Sequence, residues 1–332
     1  MSKYSDAGVL PRVGVFLETK YLAHAQPVLT FQKFALSRPI PANKGQSIKM
    51  RRAMPFALAT TALTEGVRPS AQALVYQDVT FTLNQFGAFT TFTDQIQDTH
   101  EDPVLNDLAV LSGEQGAETV EKVLIGNIIG GTNAIFANGA SRGAVNTKVT
   151  LNTQRKATRL LKTARAKKIT KILSASVNVG TKPVEASFVA VAHTDLEADI
   201  RTIAGFKSVA EYGSMQPLCP EEIGSVEDVR YILSQNLTPW TGGSAGGTPT
   251  GMVTTNSTNA DVYPILYFGE EAYGCTPLKG QEAVEIKVMK PGVARFGDEL
   301  GQWGSFGWKT YHASGILNQN WIVRAEVAAT LL

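Results

Sequence analysis

The sequence has few of the residues on which metal, redox and acid–base enzymes depend. Only four histidines and two cysteines occur in 332 residues, and Cys219 and Cys275 are far apart with no CxxC pair. This cysteine usage favours a reduced, cytoplasmic site of synthesis. No apolar run approaches the roughly 18 residues that suggest a membrane span, and the N-terminal stretch has no long apolar segment typical of a secretory signal. We therefore expect neither a membrane protein nor a secreted one.

Motifs for nucleotide binding and hydrolysis are missing as well. No GxGxxG opens a helix after a predicted strand, GGSAGGTPTG lacks GK[ST], and there is no G-x-S-x-G. The stretch DTHED does bring together Asp98, His100, Glu101 and Asp102. Consecutive residues point in different directions, and Asp102 before Pro103 fits a helix N-cap, so a hinge is favoured over a metal site. We predict no catalytic, cofactor-binding or metal-binding residues and no enzymatic activity.

Charge is nearly balanced overall but is concentrated in one segment. The formal charge of +2 argues against a protein that neutralises many phosphates, without excluding one that encloses nucleic acid. Residues 152–171 predict a helix that carries eight basic residues and no acid. Its candidate contacts to nucleic acid or to an acidic partner are Arg155, Lys156, Arg159, Lys162, Arg165 and Lys168. Because no aromatic residues are interleaved for base stacking, a solvated face or one that meets acids of a neighbouring subunit is favoured.

A long segment without a clear period lies between two predicted strands. Residues 47–54 and 78–86 alternate in polarity, with a bulge predicted at Gly87. Residues 55–77 follow neither helical nor strand periodicity, and a structureless link of this length is unusual inside a compact domain. We predict a two-stranded tongue that lies on a neighbouring molecule, because an isolated hairpin is marginal in water. Its candidate inter-subunit contacts are Lys44, Lys49, Arg51, Arg52, Glu65 and Arg68.

The rest of the pattern indicates an α+β protein. Residues 1–43 suggest an arm with a short helical piece at residues 16–24, followed by extended chain, since Pro39 and Pro41 exclude a helix around them. Residues 103–129 predict a helix roughly 40 Å long. Its expected apolar stripe is Val104, Leu108, Leu111, Val120, Leu124 and Ile128, with Glu114, Glu118, Glu121 and Lys122 elsewhere. Later strands are predicted at residues 186–193, 229–234, 262–269, 283–290, 306–317 and 321–331, and residues 235–260 as a flexible loop tip. Strands and helices are segregated rather than alternating, which favours the α+β class.

Five stretches carry a resemblance to a known family. They are RPIPANKGQSIKMRR, TTALTEGVRP, YQDVTFTLNQFGAFTTFTDQIQDTHEDPVL, GGTNAIFANGASR and LGQWGSFGWKTYHASGILNQNWIVRAEVA. Together they resemble the major capsid proteins of tailed bacteriophages, which have the HK-97-like fold. The similarity covers about residues 20–144 and 186–332. It does not extend to residues 145–185, so it is silent on the basic helix.

The resemblance implies a layout and a function. The implied parts are an N-terminal arm (1–43), an extended loop across the next subunit (44–94), a peripheral domain (95–144) with a spine helix (103–129), an axial domain (145–275), and the second part of the peripheral domain (276–332). It implies a structural protein that assembles as hexamers and pentamers into the icosahedral head of the virion. Further implied partners are the packaged double-stranded DNA, bound without sequence specificity, and portal, scaffold and decoration proteins.

Three other classes stay open. An encapsulin-like compartment would share the fold but enclose enzymes instead of a genome. A soluble nucleic-acid-binding protein using residues 155–171 would be a small oligomer with strongly salt-dependent DNA affinity. A hydrolase is the third, although the sequence offers no nucleophile–base pair for it.

Overall fold

The computed structural model describes residues 29–41, 43–99, 104–171, 183–212, 216–244, 251–278, 285–294 and 297–332. Within them the helices are α1 (Phe31–Phe34), α2 (Asp94–Thr99), α3 (Val104–Ile129), α4 (Leu151–Thr163) and α5 (Glu197–Arg201). The strands are β1 (Leu36–Ser37), β2 (Ser47–Ala53), β3 (Tyr76–Thr82), β4 (Asn84–Thr93), β5 (Ala134–Phe136), β6 (Ile169–Lys171), β7 (Pro183–Ala192), β8 (Phe206–Ser208), β9 (Glu222–Val226), β10 (Val229–Leu233), β11 (Val262–Phe268), β12 (Tyr273–Pro277), β13 (Glu285–Met289), β14 (Trp303–Ile316) and β15 (Ile322–Ala328). None of the described helices has the length and apolar character needed to cross a membrane.

The larger sheet has eight strands and is buried on both sides. Its order is β5-β15-β11-β7-β10-β9-β8, and β6 pairs with β7. Alternate residues along its central strands face α4 and α5 on one side and α3 and α1 on the other. Every residue of β11 is buried, as expected for a strand covered on both faces. This sheet therefore provides the main core of the subunit.

The smaller sheet is built around the long strand β14. Strands β12 and β13 share one edge of β14, and β4 pairs along the other edge. Helix α3 lies against one face, where Trp308 Nε1 donates to Gln115 Oε1 at 2.9 Å and Asn127 Nδ2 donates to Ser314 Oγ at 2.8 Å. The same helix packs on the larger sheet, so it joins the two sheets.

Helix α3 confirms part of the spine prediction. It ends at Ile129, immediately before the two glycines, and Glu118 pairs with Lys122 at 2.8 Å. The apolar stripe is buried only towards the C-terminal end, because Leu124 and Ile128 are buried whereas Leu111 is 53% exposed. The placement of Glu121 away from the core is wrong, since its side chain is fully buried.

The predicted tongue has a paired root and an irregular outer part. Strands β2 and β3 form an antiparallel ladder from Ser47–Thr82 to Ala53–Tyr76. Phe81 and Leu83 pack against Ile40 and Ala313, which fixes the root on the face of the smaller sheet opposite α3. Outside the ladder the chain reverses at a turn closed by Val67 N donating to Thr64 O at 3.1 Å.

The bulge predicted in β4 is wrong, and the sequence pattern did not reveal the helix that follows this strand. The ladder between β4 and β14 is continuous through the pair Gly87–Lys309, so Gly87 is not a bulge. A Cβ at this position would lie 2.6 Å from Trp308 O, and close backbone approach explains the glycine. The polar corner after the strand begins with α2, a short helix that the sequence pattern did not reveal. Residues 100–103, which include His100, Glu101 and Asp102, lie outside the described residues.

The basic helix and the arm also differ from the predictions. Helix α4 ends at Thr163 instead of continuing to residue 171, because Arg165 adopts a left-handed conformation at φ 54° and Ile169 then joins the sheet through β6. The described part of the arm is not simply extended. It forms α1, with Phe31 fully buried in its own subunit, and then β1, which pairs with β12. Residues 16–24 of the predicted arm helix lie outside the described residues.

The division into domains stays a prediction, and strand pairing adds a detail to it. Strands β12 to β14 lie in the smaller sheet, but β15 returns to the larger sheet beside β11. The last two strands therefore do not form a hairpin with each other. The final segment, assigned above to the second part of the peripheral domain, contributes a strand to the sheet of the predicted axial domain.

Candidate assembly surfaces

The outer part of the tongue exposes apolar side chains that none of the described residues of this subunit covers. Every residue from 53 to 78 is exposed. Leu58 is 84% exposed and Leu63 is 77% exposed. Exposure of large apolar side chains to this extent is typical of a surface that binds a partner. The exposed apolar set is Met54, Phe56, Leu58, Leu63, Val67, Leu74, Val75 and Tyr76. Soluble monomers rarely present so many large apolar residues on one segment.

The charged residues predicted to contact a neighbour lie along this tongue. Lys44, Lys49, Glu65 and Arg68 are exposed. Arg51 is already paired within the ladder, donating to Asp78 at 2.8 and 3.0 Å, and this guanidinium lowers the pKa of Asp78. Arg52 donates to Gln77 Oε1 at 2.9 Å. The two arginines therefore stiffen the root, and their contact with another subunit stays a prediction.

A second exposed apolar surface lies at the far end of the smaller sheet. We name Phe89, Met289 and Trp303 the distal sheet face; the register places them on the side opposite α3, with exposures between 44% and 76%. Gly307 lies directly beside Phe89, and a Cβ there would lie 2.9 Å from Phe89 Cβ. The tongue root covers this same side of the sheet near Ala313 but leaves the distal end open. It offers an apolar surface for an extended segment.

The predicted basic residues on α4 and in the segment after it fall into two groups. Arg155 pairs with Glu227, while Lys162 and Lys168 pair with Asp228. Both acids form the two-residue turn between β9 and β10, and the lysines lower the pKa of Asp228. Lys156, Arg159 and Arg165 are exposed and make no ion pair within the described part of the chain. The predicted set is thus split into a neutralised flank and an open row.

Glu121 anchors the arm to the spine. Its carboxylate accepts from Thr30 N at 2.8 Å, Phe31 N at 2.7 Å and Gln32 N at 3.3 Å, the free donors at the start of α1. Burial raises the pKa of Glu121, and the three backbone donors oppose that rise. The sequence did contain a signal for this residue. Glu121 is three and seven residues before Leu124 and Ile128, in phase with the buried stripe.

A second buried carboxylate joins the end of the spine to the larger sheet. Glu326 in β15 is fully buried and accepts from Arg142 at 2.8 and 2.9 Å and from Arg324 at 2.8 Å. The Arg142 guanidinium stacks 3.5 Å from the centre of the Trp240 ring. Arg324 also donates to the carbonyls of Ile129 and Gly131 at the C-terminal end of α3. Sequence analysis missed this cluster, although an acid within the apolar strand IVRAEVA is a signal for a buried partner.

His312 makes β14 sensitive to acid. It is buried on the side of β14 that faces α3, its Nε2 has no hydrogen-bond partner among the described residues, and burial lowers its pKa to about 4. Because the unfolded chain binds the proton first, stability should be lost as the pH falls from about 6.5 towards 4. His312→Leu is expected to remove about 2 kcal/mol of this loss. Urea unfolding at pH 7 and pH 4 measures it, and equal acid sensitivity of both proteins would contradict the assignment.

No enzyme-like constellation appears among the described residues. No three His, Cys, Asp or Glu side chains there converge as a metal site. Cys219 is buried, and burial raises the pKa of its thiol to about 12, which makes it a poor nucleophile. His193 caps the turn that follows β7 by accepting from Asp195 N at 3.1 Å. These polar residues have structural partners within the subunit.

Comparison with known proteins gives a family and a fold. A family model described as phage capsid protein matches residues 76–325. No curated protein sequence matches the chain. The fold is similar to the capsid structure of cyanophage P-SCSP1u (15% identity, TM-score 0.59, covering 99% of this chain and 97% of that one) and to the capsid of Ralstonia phage GP4 (11%, 0.66, 99% and 99%). It is also similar to the head structure of Helicobacter pylori bacteriophage KHP40 (11%, 0.66, 100% and 98%). These likenesses confirm the predicted α+β, HK-97-like fold.

Proposed function

Because this chain belongs to the phage capsid protein family, we propose that its tongue and sheets join copies of it, as hexamers and pentamers, into a closed icosahedral shell. The family makes it a structural major capsid protein, located in the virion. In this proposal the shell encloses a double-stranded DNA genome, and its subunits are made in the host cytoplasm. Portal, scaffold and decoration proteins are its further proposed partners, and the chain has no enzymatic activity in this proposal.

The observation that carries the proposal is the uncovered tongue. An extended segment of more than twenty residues gains no core contacts from the described residues of its own subunit, so these contacts do not offset the entropy cost of ordering it in a monomer. Burial of its apolar side chains against another copy would contribute about 25 cal/mol per Å². Repeated from copy to copy, such a contact is head-to-tail and generates rings. This supports assembly over a stable monomer.

The distal sheet face is the proposed landing surface for the tongue of the next copy. Phe89, Met289 and Trp303 present an apolar surface at a sheet end that nothing described in this subunit covers. Small residues, Gly307 and Ser305, lie between them on β14 and place little side chain above the sheet, which allows an extended chain to approach. The charged tongue residues Lys44, Lys49, Arg51, Arg52, Glu65 and Arg68 then set register more than affinity.

Shortening the tongue tests this function. Replacing residues 55–74 with Asn-Gly keeps the β2–β3 ladder and closes it with a two-residue hairpin turn. We expect a folded subunit with a Tm within a few degrees of the wild type, because the removed segment touches little of its own body. Electron microscopy and size exclusion should show shells, polyheads or rings for the wild-type chain. For the variant they should show only unassembled subunits.

A variant with a tongue of unchanged length tests whether its apolar side chains are needed for assembly. Phe56→Ser, Leu58→Ser and Leu63→Ser combined keep the tongue intact but remove apolar surface, and should also reduce the yield of shells. Closed shells from the shortened variant would defeat the tongue assignment. A wild-type chain that stays monomeric even when it is co-expressed with the proteins encoded beside it would contradict the proposal that it forms a shell.

A further inference from the structure

The unbalanced basic charge of this protein lies on α4 and on the segment that directly follows it. Residues 151–171 carry eight lysines and arginines and no acid, while the whole chain has 31 basic and 29 acidic residues, so the remainder is net acidic. Helix α4 packs on the side of the larger sheet opposite α3, with Ala157 and Leu161 buried beneath it. Its outer side is therefore the surface of the subunit on that side.

The local acids neutralise only one flank of this face. Glu227 and Asp228 are held in the β9–β10 turn, where they pair with Arg155, Lys162 and Lys168. On the helix, Lys156 and Arg159 project away from the buried positions, and Arg165 follows just past the C-terminal end. From Lys156 to Thr163 the helix rises about 10 Å, and Arg165 lies two residues beyond its end. A DNA duplex carries one phosphate charge per about 1.7 Å of its axis, so this row is long enough to face several phosphates.

We propose that Lys156, Arg159 and Arg165 form a contact surface for the phosphates of the enclosed double-stranded DNA. This inference rests on the proposed shell function. A stable protein interface needs an apolar centre. On α4 the exposed large apolar side chain is Leu160, which is 39% exposed. The face therefore suits a polyanion better than a protein partner. Residues 151–171 contain no aromatic residue that could stack on bases, so the contact has no base-sequence specificity.

Salt-dependent DNA binding tests the surface. Full-length, unassembled subunits or capsomers are titrated with a random-sequence 30-base-pair duplex, followed by fluorescence anisotropy between 50 and 200 mM salt. The combined variant Lys156→Gln, Arg159→Gln, Arg165→Gln should lower affinity at least about tenfold at 50 mM and reduce the salt slope by about three. A control, Lys33→Gln, Arg38→Gln, Lys122→Gln, removes the same charge from exposed positions away from α4 and α5 and should leave most of the slope.

A gain-of-affinity variant makes the test two-sided. Glu227→Gln with Asp228→Asn releases Arg155, Lys162 and Lys168 from their partners and should strengthen binding and steepen the salt slope. Shell formation of every variant is checked by electron microscopy, which separates this inference from the proposed function. An unchanged slope in the triple variant, or no DNA binding by the wild type, overturns the inference while shells still form. Loss of shells with unchanged DNA affinity also overturns it and indicates an acidic surface of another subunit.

Discussion

Replacing Glu326 with alanine is expected to destabilise the folded subunit by about 4 kcal/mol. The carboxylate is fully buried and is shared by Arg142 and Arg324, so its removal leaves two guanidinium groups without their counter-charge. Breaking a buried ion pair from one side typically costs 3–5 kcal/mol. Because Arg324 also donates to carbonyls at the end of α3, the loss should loosen the joint between the spine and the larger sheet.

Urea unfolding of the full-length subunit measures this cost. Glu326→Gln keeps the shape but not the charge and should cost about half as much. Glu285→Ala is the matched control, because Glu285 also lies on a strand and contacts two lysines, Lys287 and Lys309, but is partly exposed. It should destabilise the subunit far less than Glu326→Ala does, because solvent screens its ion pairs. Equal losses of unfolding free energy for Glu326→Ala and Glu285→Ala would show that the buried cluster does not stabilise the contact between α3 and the larger sheet.

Replacing Glu121 with alanine should cost about 3 kcal/mol and free the described part of the arm. Two fully buried backbone donors, those of Thr30 and Phe31, would lose their acceptor, at roughly 1–3 kcal/mol each. Relief from burying a carboxylate offsets part of this. Limited proteolysis should then cut within residues 29–41 faster than in the wild type. Glu118→Ala on the same helix loses only an exposed pair with Lys122 and should change stability by less than about 0.5 kcal/mol.

The effect of Glu121 should also depend on pH. Since its folded pKa is raised, the protonated form favours the folded state, and this contribution is lost as pH rises through the folded pKa. Glu121→Gln does not titrate. Its deficit relative to the wild type should therefore be larger near the ordinary pKa of a glutamate than at neutral pH. A deficit that grows with rising pH would contradict the cause assigned to the shift.

Local pattern was enough for most of the long elements but not for the short ones or for the pairing partners of any of them. The alternation of residues 47–53 and the absence of period after it predicted the paired root and the long projection. The burial of Glu121 could also have been predicted, because it is in phase with Leu124 and Ile128. Its acceptor role could not, since the donors of the arm lie 91 residues away in sequence. The end of α4 at Thr163 was missed because Ile169 is buried by strand pairing, which the composition of a basic segment does not report.

The amino-acid sequence alone determined the α+β class, the spine, the four long strands β7, β10, β11 and β15 of the larger sheet and the tongue, because each shows in the local pattern of one stretch of chain. Only the tertiary structure decided which charges are neutralised, for Arg155 and Lys162 meet acids of a turn more than sixty residues further along. It also decided that β14 and β15 separate into different sheets and that Glu326 lies between two arginines. These outcomes depend on which distant segments pair, and pairing between distant segments leaves no period in the sequence.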